Sequence, residues 1–303
     1  MDLSIIIVSW NVAEKLRENL KALYFSQGVF SYEIFVVDNN SSDGSAEMVK
    51  KEFPRANLII NAHNAGFAKA NNQAMREAKG DYILLLNPDM KVFSDTLAKT
   101  VKWMKANPKA VVAGCRLVDE KNNTIRHVRR FPELSDQLAI ILKLPHFFPG
   151  ILKSYLREDF DYDRAAKVDS IRGGFFMINR REAEKIGRKN SGDSKDGNKK
   201  STLPYLDERY FIWFEEVDYC RQIKEAGGEV WFAPAAECVD FVGQSFKQVK
   251  RGVAQNYFSD SMLKYFKKWR PAWQYYLLKI AWPIGSFMAK AGEMLNFKTR
   301  AKT

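Results

Sequence analysis

Short apolar runs alternate with helical spacings through the first third of the chain, and each run ends in polar residues. Leu3-Ser4-Ile5-Ile6-Ile7-Val8-Ser9 reads as a strand closed by Trp10-Asn11, and Leu16, Leu20 and Leu23 follow at helical spacing. The unit recurs. Tyr32 to Val37 is apolar and closes on Asp38, the loop from Asn39 to Gly44 turns, and Met48, Val49 and Phe53 restore the helical period. A third unit runs through Leu58-Ile59-Ile60, the loop Asn61 to Gly66 and a helix from about Phe67 to Ala78. The fourth begins at Tyr82-Ile83-Leu84-Leu85-Leu86, turns at Asn87-Pro88-Asp89 and enters a helix around Thr96 to Lys105. Four such units predict an α/β fold with a parallel, doubly wound sheet and right-handed crossovers.

The rest of the chain is less regular. Val111 to Gly114 predicts a further strand, Leu138 to Leu144 a short apolar helix, and Pro145 to Gly150 an aromatic loop. Val168 to Asn179 reads as a strand containing Arg172-Gly173-Gly174, where the glycines fit either a bulge or close approach of a ligand. Residues 188–203 are lysine-rich, glycine-rich and polar, and predict a flexible insertion. From Trp273 to Leu295 a helical period puts Lys279, Ser286, Lys290 and Glu293 on one face. Trp273, Leu277, Ile280, Ile284, Met288 and Leu295 fall on another.

Candidate chemistry sits where the strands end. Asp89 is a carboxylate delivered to a sheet edge; Asn-Pro-Asp is also ordinary turn chemistry. Asp38 suits either an Asx turn or a ligand. Tyr210 to Phe214 runs into Glu215, Glu216 and Asp218 at a predicted helix start, where acids cap helices. A carboxylate held against apolar walls also gains proton affinity and suits general-base work. The Gly-x-Gly-x-x-Gly fingerprint is absent after the first strand, which argues against a nicotinamide enzyme.

Composition narrows the classes. With 303 residues, 46% hydrophobic, the chain can bury a full core. A formal charge of +12 implies an acidic partner, but the basic residues are dispersed and no nucleic-acid motif appears, so no nucleic-acid partner is expected. Cys115, Cys220 and Cys238 are far apart and odd in number, which argues against a disulfide framework and fits a reducing cytosol. Asp2 and the short run Leu3–Val8 do not make a secretion signal. No stretch reaches the roughly 20 uninterrupted apolar residues of a membrane span.

The combined, ordered motifs resemble those of inverting family-2 glycosyltransferases, rhamnosyltransferase-like branch. The segments that carry the likeness are Ile5 to Asn11, Val36 to Ser45, Asn64 to Asn72, Asn87-Pro88-Asp89, Arg172 to Phe175 and Glu215 to Asp218. The resemblance implies a GT-A-type fold with a nucleotide-sugar-binding half (1–106) and a metal- and acceptor-binding, catalytic half (107–246), to which the amphipathic period adds a helical tail (247–303). It implies that Ser9, Trp10, Asn11, Asp38, Asn64, Gly66, Phe67 and Asn71 close around the nucleoside. Asn87, Asp89, Gly173 and Gly174 would continue the donor site. Glu216 takes the position of the general base, with Glu215 as second choice. Asp89 would bind a divalent cation, Mg²⁺ or Mn²⁺, with Asp240 standing where similar proteins carry a histidine. His63, His127 and His146 match no ligand position.

The implied reaction moves a sugar, rhamnose as the best guess, from a dTDP- or UDP-linked donor to a cell-envelope glycan or lipid-linked acceptor. A catalytically inactive nucleotide-sugar-binding protein is the alternative. The tail suits anionic membrane at the inner face of the cell membrane, or packing on the domain or in a dimer. The expected location is cytoplasmic.

Overall fold

The computed structural model describes residues 1–190, 203–241, 243 and 248–300, the side chains of 189–190 and 287–300 aside. The four predicted units form in order: β1 (Leu3–Ser9), α1 (Ala13–Tyr24), β2 (Tyr32–Asp38), α2 (Ser45–Glu52), β3 (Asn57–Ile60), α3 (Phe67–Glu77) and β4 (Tyr82–Leu86). These strands lie in the order β3-β2-β1-β4 and are parallel throughout. After β1 the chain builds outward on one side and then returns to place β4 on the other. The switch point therefore lies between β1 and β4, where open α/β sheets bind ligands at the strand C-termini.

Beyond β4 the sheet becomes mixed. It continues through β5 (Met90–Val92), α4 (Thr96–Ala106), β6 (Ala110–Val118), α5 (Leu134–Ile141), β7 (Ala166–Lys167), β8 (Phe175–Asn179), α6 (Arg180–Asn190), α7 (Glu215–Glu225) and β9 (Glu229–Asp240). The full order is β3-β2-β1-β4-β8-β6-β9-β5, with β7 on β9. Strand β8 runs antiparallel to β4 and β6, and β5 antiparallel to β9. Nearly every inward residue of β1, β4 and β8 is fully buried, as a sheet covered on both faces requires.

Several elements depart from the sequence reading. The run Val168–Asn179 is not one strand: Val168 donates its N–H to Val230 at 2.9 Å and Ser170 bridges to Arg129, so the chain crosses between sheet positions before β8. Arg172-Gly173-Gly174 is the irregular crossing. The middle helix starts earlier than Leu138, because Asp136 accepts the N–H of Glu133 at 2.8 Å and closes the first turn ahead of the apolar run. It ends before Leu144, where Lys143 takes a left-handed conformation. Strands β5 and β9 have no alternating pattern strong enough to announce them. Segment 188–203 lies mostly outside the described residues; Arg188 extends α6 and Leu203 is buried.

The region after residue 247 folds as α8 (Arg251–Trp269) and α9 (Ala272–Arg300), broken by Pro271. Both close onto Tyr210 and Phe214 through Met262, Tyr265, Phe266, Leu278 and Ala281. Gly285 meets α5 so tightly that a Cβ would sit 2.3 Å from the Ile141 carbonyl. Asp218, fully buried, ties α7 to this layer. It accepts hydrogen bonds from Lys268 Nζ at 2.7 Å, Trp269 Nε1 at 2.6 Å and Gln222 Nε2 at 2.6 Å. The third acid of the sequence cluster thus has a structural role. Asp218→Ala is expected to cost about 3 kcal/mol, because it leaves the Trp269 indole N–H without its acceptor and Lys268 with Asp207 alone, at 3.1 Å; an unchanged denaturation midpoint would contradict this.

Candidate active site

The sheet register assembles the cleft. Parallel pairing brings Ser9 level with Asp38, so the loops after β1 and β2 are neighbours. Antiparallel pairing of Leu86 with Phe175 sets Asn87 against Gly174, whose carbonyl accepts the Asn87 N–H at 2.9 Å. Pairing of Met90 with Asp240 brings the other side of the same turn against β9, and Phe241 donates its N–H to the Asp89 carbonyl at 3.1 Å. Asn19, a buried amide on α1, fixes the turn from below by donating to the Asn87 carbonyl at 2.8 Å. Asn87-Pro88-Asp89 is therefore held on three sides at the switch point.

A cleft of about 530 Å³ opens here, within the range of small-ligand and cofactor sites. Trp10, Asn39, Asn64, Gly66 and Phe67 line one end. Asn87, Pro88, Asp89, Gly173, Gly174 and Asp240 form the floor, Glu216 lies against Gly173, and Glu215, Phe211, Ile212 and Trp213 complete the lining. Gly66 sits at φ 84, ψ 170, a region open to glycine alone, and an added Cβ would lie 2.6 Å from the Phe211 carbonyl. That carbonyl accepts the Phe67 N–H at 2.7 Å, so the α3 start and the aromatic loop are joined by backbone.

Four sequence candidates do not line the cleft. Ser9 is fully buried behind it, its hydroxyl without a partner among the described residues. Asn11 braces the loop, accepting the Ser42 N–H at 2.7 Å, and Asn71 donates to Phe67 O at 2.9 Å within α3. Asp38 makes the Asx turn with one oxygen, accepting the Ser41 N–H at 2.9 Å, while its Oδ1 is buried with no partner among the described residues. In contrast Asn39, Arg172, Lys250 just ahead of α8, and the α8 residues Val253 and Tyr257 do line it. Tyr257 stacks on Phe211 at 4.6 Å, and Gln248 donates to the Trp10 carbonyl at 3.0 Å. No local pattern flags the α8 residues, since they reach the cleft only by the return of the tail over the aromatic loop.

The two glutamates enter through strained backbone. Trp213 and Phe214 both adopt left-handed φ, 64 and 68, which is costly for bulky side chains and turns the chain sharply into α7. Burial raises the proton affinity of Glu215 well above the ordinary carboxylate range, and the neighbouring Glu216 charge adds to it. Glu216 is raised as well, first by burial; hydrogen bonds from the α7 N-terminus and the charge of Arg172 pull the other way. Each has an Oε2 that is buried without a partner among the described residues. A Cβ on Gly173 would lie 3.5 Å from the Glu216 Cβ, so the glycine and the glutamate side chain are immediate neighbours. His127 is buried beside Tyr162 and Phe232, its proton affinity lowered to about 3 by burial, and does not line the cleft.

Asp89 and Asp240 are both 4% exposed on the cleft floor. No cluster of three or more His, Cys, Asp or Glu side chains occurs among the described residues. Two carboxylates nonetheless fit Mg²⁺ or Mn²⁺, which take hard oxygen ligands and complete their shell with substrate phosphates and water. Arg172 Nη1 bonds Asp240 Oδ2 at 3.1 Å.

A switch-point cleft on a parallel β3-β2-β1-β4 half, closed by a mixed half that contributes acids, defines a GT-A-type α/β fold. The sequence model described as Glycosyl transferase family 2 matches residues 4–187, and the chain belongs to that family. It is 28% identical over 251 residues to the rhamnosyltransferase WbbL of Escherichia coli, covering 78% of this chain and 82% of that one. It is 31% identical over 172 residues to the uncharacterized glycosyltransferase YfnE of Bacillus subtilis, covering 56% of this chain but spanning only 42% of YfnE. Among solved structures, the mannosyltransferase PcManGT from Pyrobaculum calidifontis, in complex with GDP-Man and Mn²⁺, superposes with a TM-score of 0.53 at 17% identity. The match covers 96% of this chain and 75% of that one, and at this identity it shows the fold.

Proposed function

We propose that the protein transfers a sugar from a nucleotide-diphosphate sugar to an acceptor hydroxyl with inversion at the anomeric carbon. The observation that carries this reading is the placement of Glu216, desolvated and beside Gly173, in the same cleft as the Asp89 turn. Trp10, Asn39, Asn64, Gly66 and Phe67 supply the aromatic and amide surfaces that suit a nucleoside. Asp38 and Ser9 sit behind them and hold the loop, with the unpartnered Asp38 Oδ1 turned to polar use if the loop adjusts around a ribose.

Glu216 accepts the acceptor proton as the hydroxyl oxygen bonds to the anomeric carbon, while the bond from that carbon to the diphosphate oxygen breaks and the nucleoside diphosphate leaves. Glu215 keeps its proton and holds the cleft wall. Phe211, Ile212 and Trp213 limit water beside the reacting carbon. Asp89 and Asp240 would hold the divalent cation, whose chemistry when bound is to offset the charge of the departing diphosphate.

Rhamnose as the sugar is supported by the likeness to the rhamnosyltransferase WbbL, and both dTDP and UDP suit the amide-lined end of the cleft. A cell-envelope glycan or lipid-linked acceptor fits the same likeness. The test is a thermal-shift screen of nucleotide sugars with and without Mn²⁺: at a hundred times its Kd a donor adds about 2.7 kcal/mol. No shift with any nucleotide sugar would contradict the reading. A shift without transfer or donor hydrolysis would favour an inactive binding protein.

A specific observation also favours peripheral membrane contact. Leu278, Ala281 and Gly285 pack α9 on the domain, while Trp273, Leu277, Ile280 and Ile284 form an exposed apolar stripe on the opposite face. Exposed Lys267 and the half of the tail rich in Lys and Arg by sequence suit anionic lipid. No helix among the described residues is long and apolar enough to cross a membrane. The wild-type protein is expected to co-sediment with anionic liposomes and Trp273→Ser/Ile280→Ser to lose about tenfold of that binding; equal sedimentation of both would contradict it.

A further inference from the structure

We propose that Arg172 is a diphosphate-binding residue of the cleft, anchored on Asp240 with its remaining donors poised for the phosphate oxygens of an entering nucleoside diphosphate. The inference rests on the reading of the cleft as a nucleotide-sugar site and gives a role to Arg172, which the segment Arg172 to Phe175 contains without one.

The charges of the cleft call for such a group. Asp89, Asp240 and the ionised base Glu216 line it, with Glu215 protonated, against only two bases, Arg172 and Lys250, among the described residues. A diphosphate entering this wall meets carboxylates at close range, where the effective dielectric is lower than in water, so cations must gather around the phosphates. The two carboxylates on the floor account for one divalent ion. Arg172 is the fixed positive charge at the same end, since it bonds Asp240 and its charge acts on Glu216.

The geometry is that of a poised rather than a consumed side chain. Arg172 spends Nη1 on Asp240 at 3.1 Å, yet its side chain remains 40% exposed, whereas Asp240 is 4% exposed. A guanidinium carries five N–H donors in a planar fork that matches phosphate oxygens two at a time. Its backbone lies in the irregular crossing ahead of β8, next to Gly173 and Gly174, which bring no side chain between the guanidinium and the floor of the cleft. With a diphosphate bound, the guanidinium bridges Asp240 and the phosphate oxygens, and Asp240 serves as its anchor. A lysine there would supply the charge without the fork.

The test is isothermal titration calorimetry of the full chain and its Arg172→Ala and Arg172→Lys variants. The ligands are UDP and dTDP, against uridine and thymidine, each with Mn²⁺ and again in EDTA. Arg172→Ala is expected to weaken the diphosphate that the wild type binds by about 10- to 100-fold, as loss of a charged hydrogen-bond pair does. Nucleoside affinity should stay within about twofold, the loss should persist in EDTA, and Arg172→Lys should fall between. If the alanine variant does not fold, the lysine variant carries the comparison alone. Diphosphate affinity within twofold of wild type in the variant that folds would overturn the proposal, as would an equal loss for nucleoside and diphosphate. Absence of any nucleotide binding by the wild type would instead overturn the functional reading on which it rests.

Discussion

Glu216→Gln is expected to lower kcat for sugar transfer by about 10³-fold while leaving donor binding within about twofold. The amide keeps the size and most contacts of the carboxyl but cannot take a proton, so the loss falls on the chemical step. Burial raises the proton affinity of Glu216, and the base works only when ionised. In the wild type kcat should therefore rise with pH through a midpoint above the ordinary glutamate range and then level off. Stability runs the other way. A carboxyl with a raised folded pKa stabilises the fold fully below the unfolded value, and that contribution is lost as pH rises through the folded value. Glu215→Gln is thus expected to stabilise the protein above the raised pKa and to change little near pH 4. A kcat for Glu216→Gln within tenfold of wild type would remove Glu216 from the role of base.

The second large effect is at the other side of the cleft. Asp89→Asn is expected to reduce transfer by about 10²- to 10³-fold, because it removes a carboxylate that would hold the divalent cation whose charge offsets that of the departing diphosphate. In calorimetry the variant should also lose at least about tenfold of the Mn²⁺-dependent gain in nucleoside diphosphate affinity. Its binding in EDTA should match wild type, which separates loss of cation binding from damage to the cleft. Equal Mn²⁺-dependent affinity in the two proteins would contradict the assignment of Asp89.

The first half of the fold was legible because each strand there is a continuous apolar run and each helix keeps a regular spacing; both signals are local. The second half depended on partners far away in sequence. Strand β5 is three residues long and exists because Met90 pairs with Asp240, and β8 is shorter than its apolar run because Ser170 bridges elsewhere. The acid cluster was legible as a cluster but not in its division of labour. Glu215 and Glu216 line the cleft, whereas Asp218, one helical turn on, is locked by Lys268 and Trp269 some fifty residues later. Asp240 was identified by position, yet its ion pair with Arg172 spans 68 residues and could be found only in three dimensions. The α8 residues at the cleft mouth were hidden for the same reason. The tail looked like an appendage because its amphipathic pattern showed one apolar stripe; a second, made of Leu278, Ala281 and Gly285, is the one that holds it to the domain.

The most direct test of a single displacement with Glu216 as base is the anomeric configuration of the product, read by nuclear magnetic resonance from a donor of known configuration. The account predicts a linkage of inverted configuration, formed by the wild type and lost in Glu216→Gln. A product that retains the donor's configuration would contradict it.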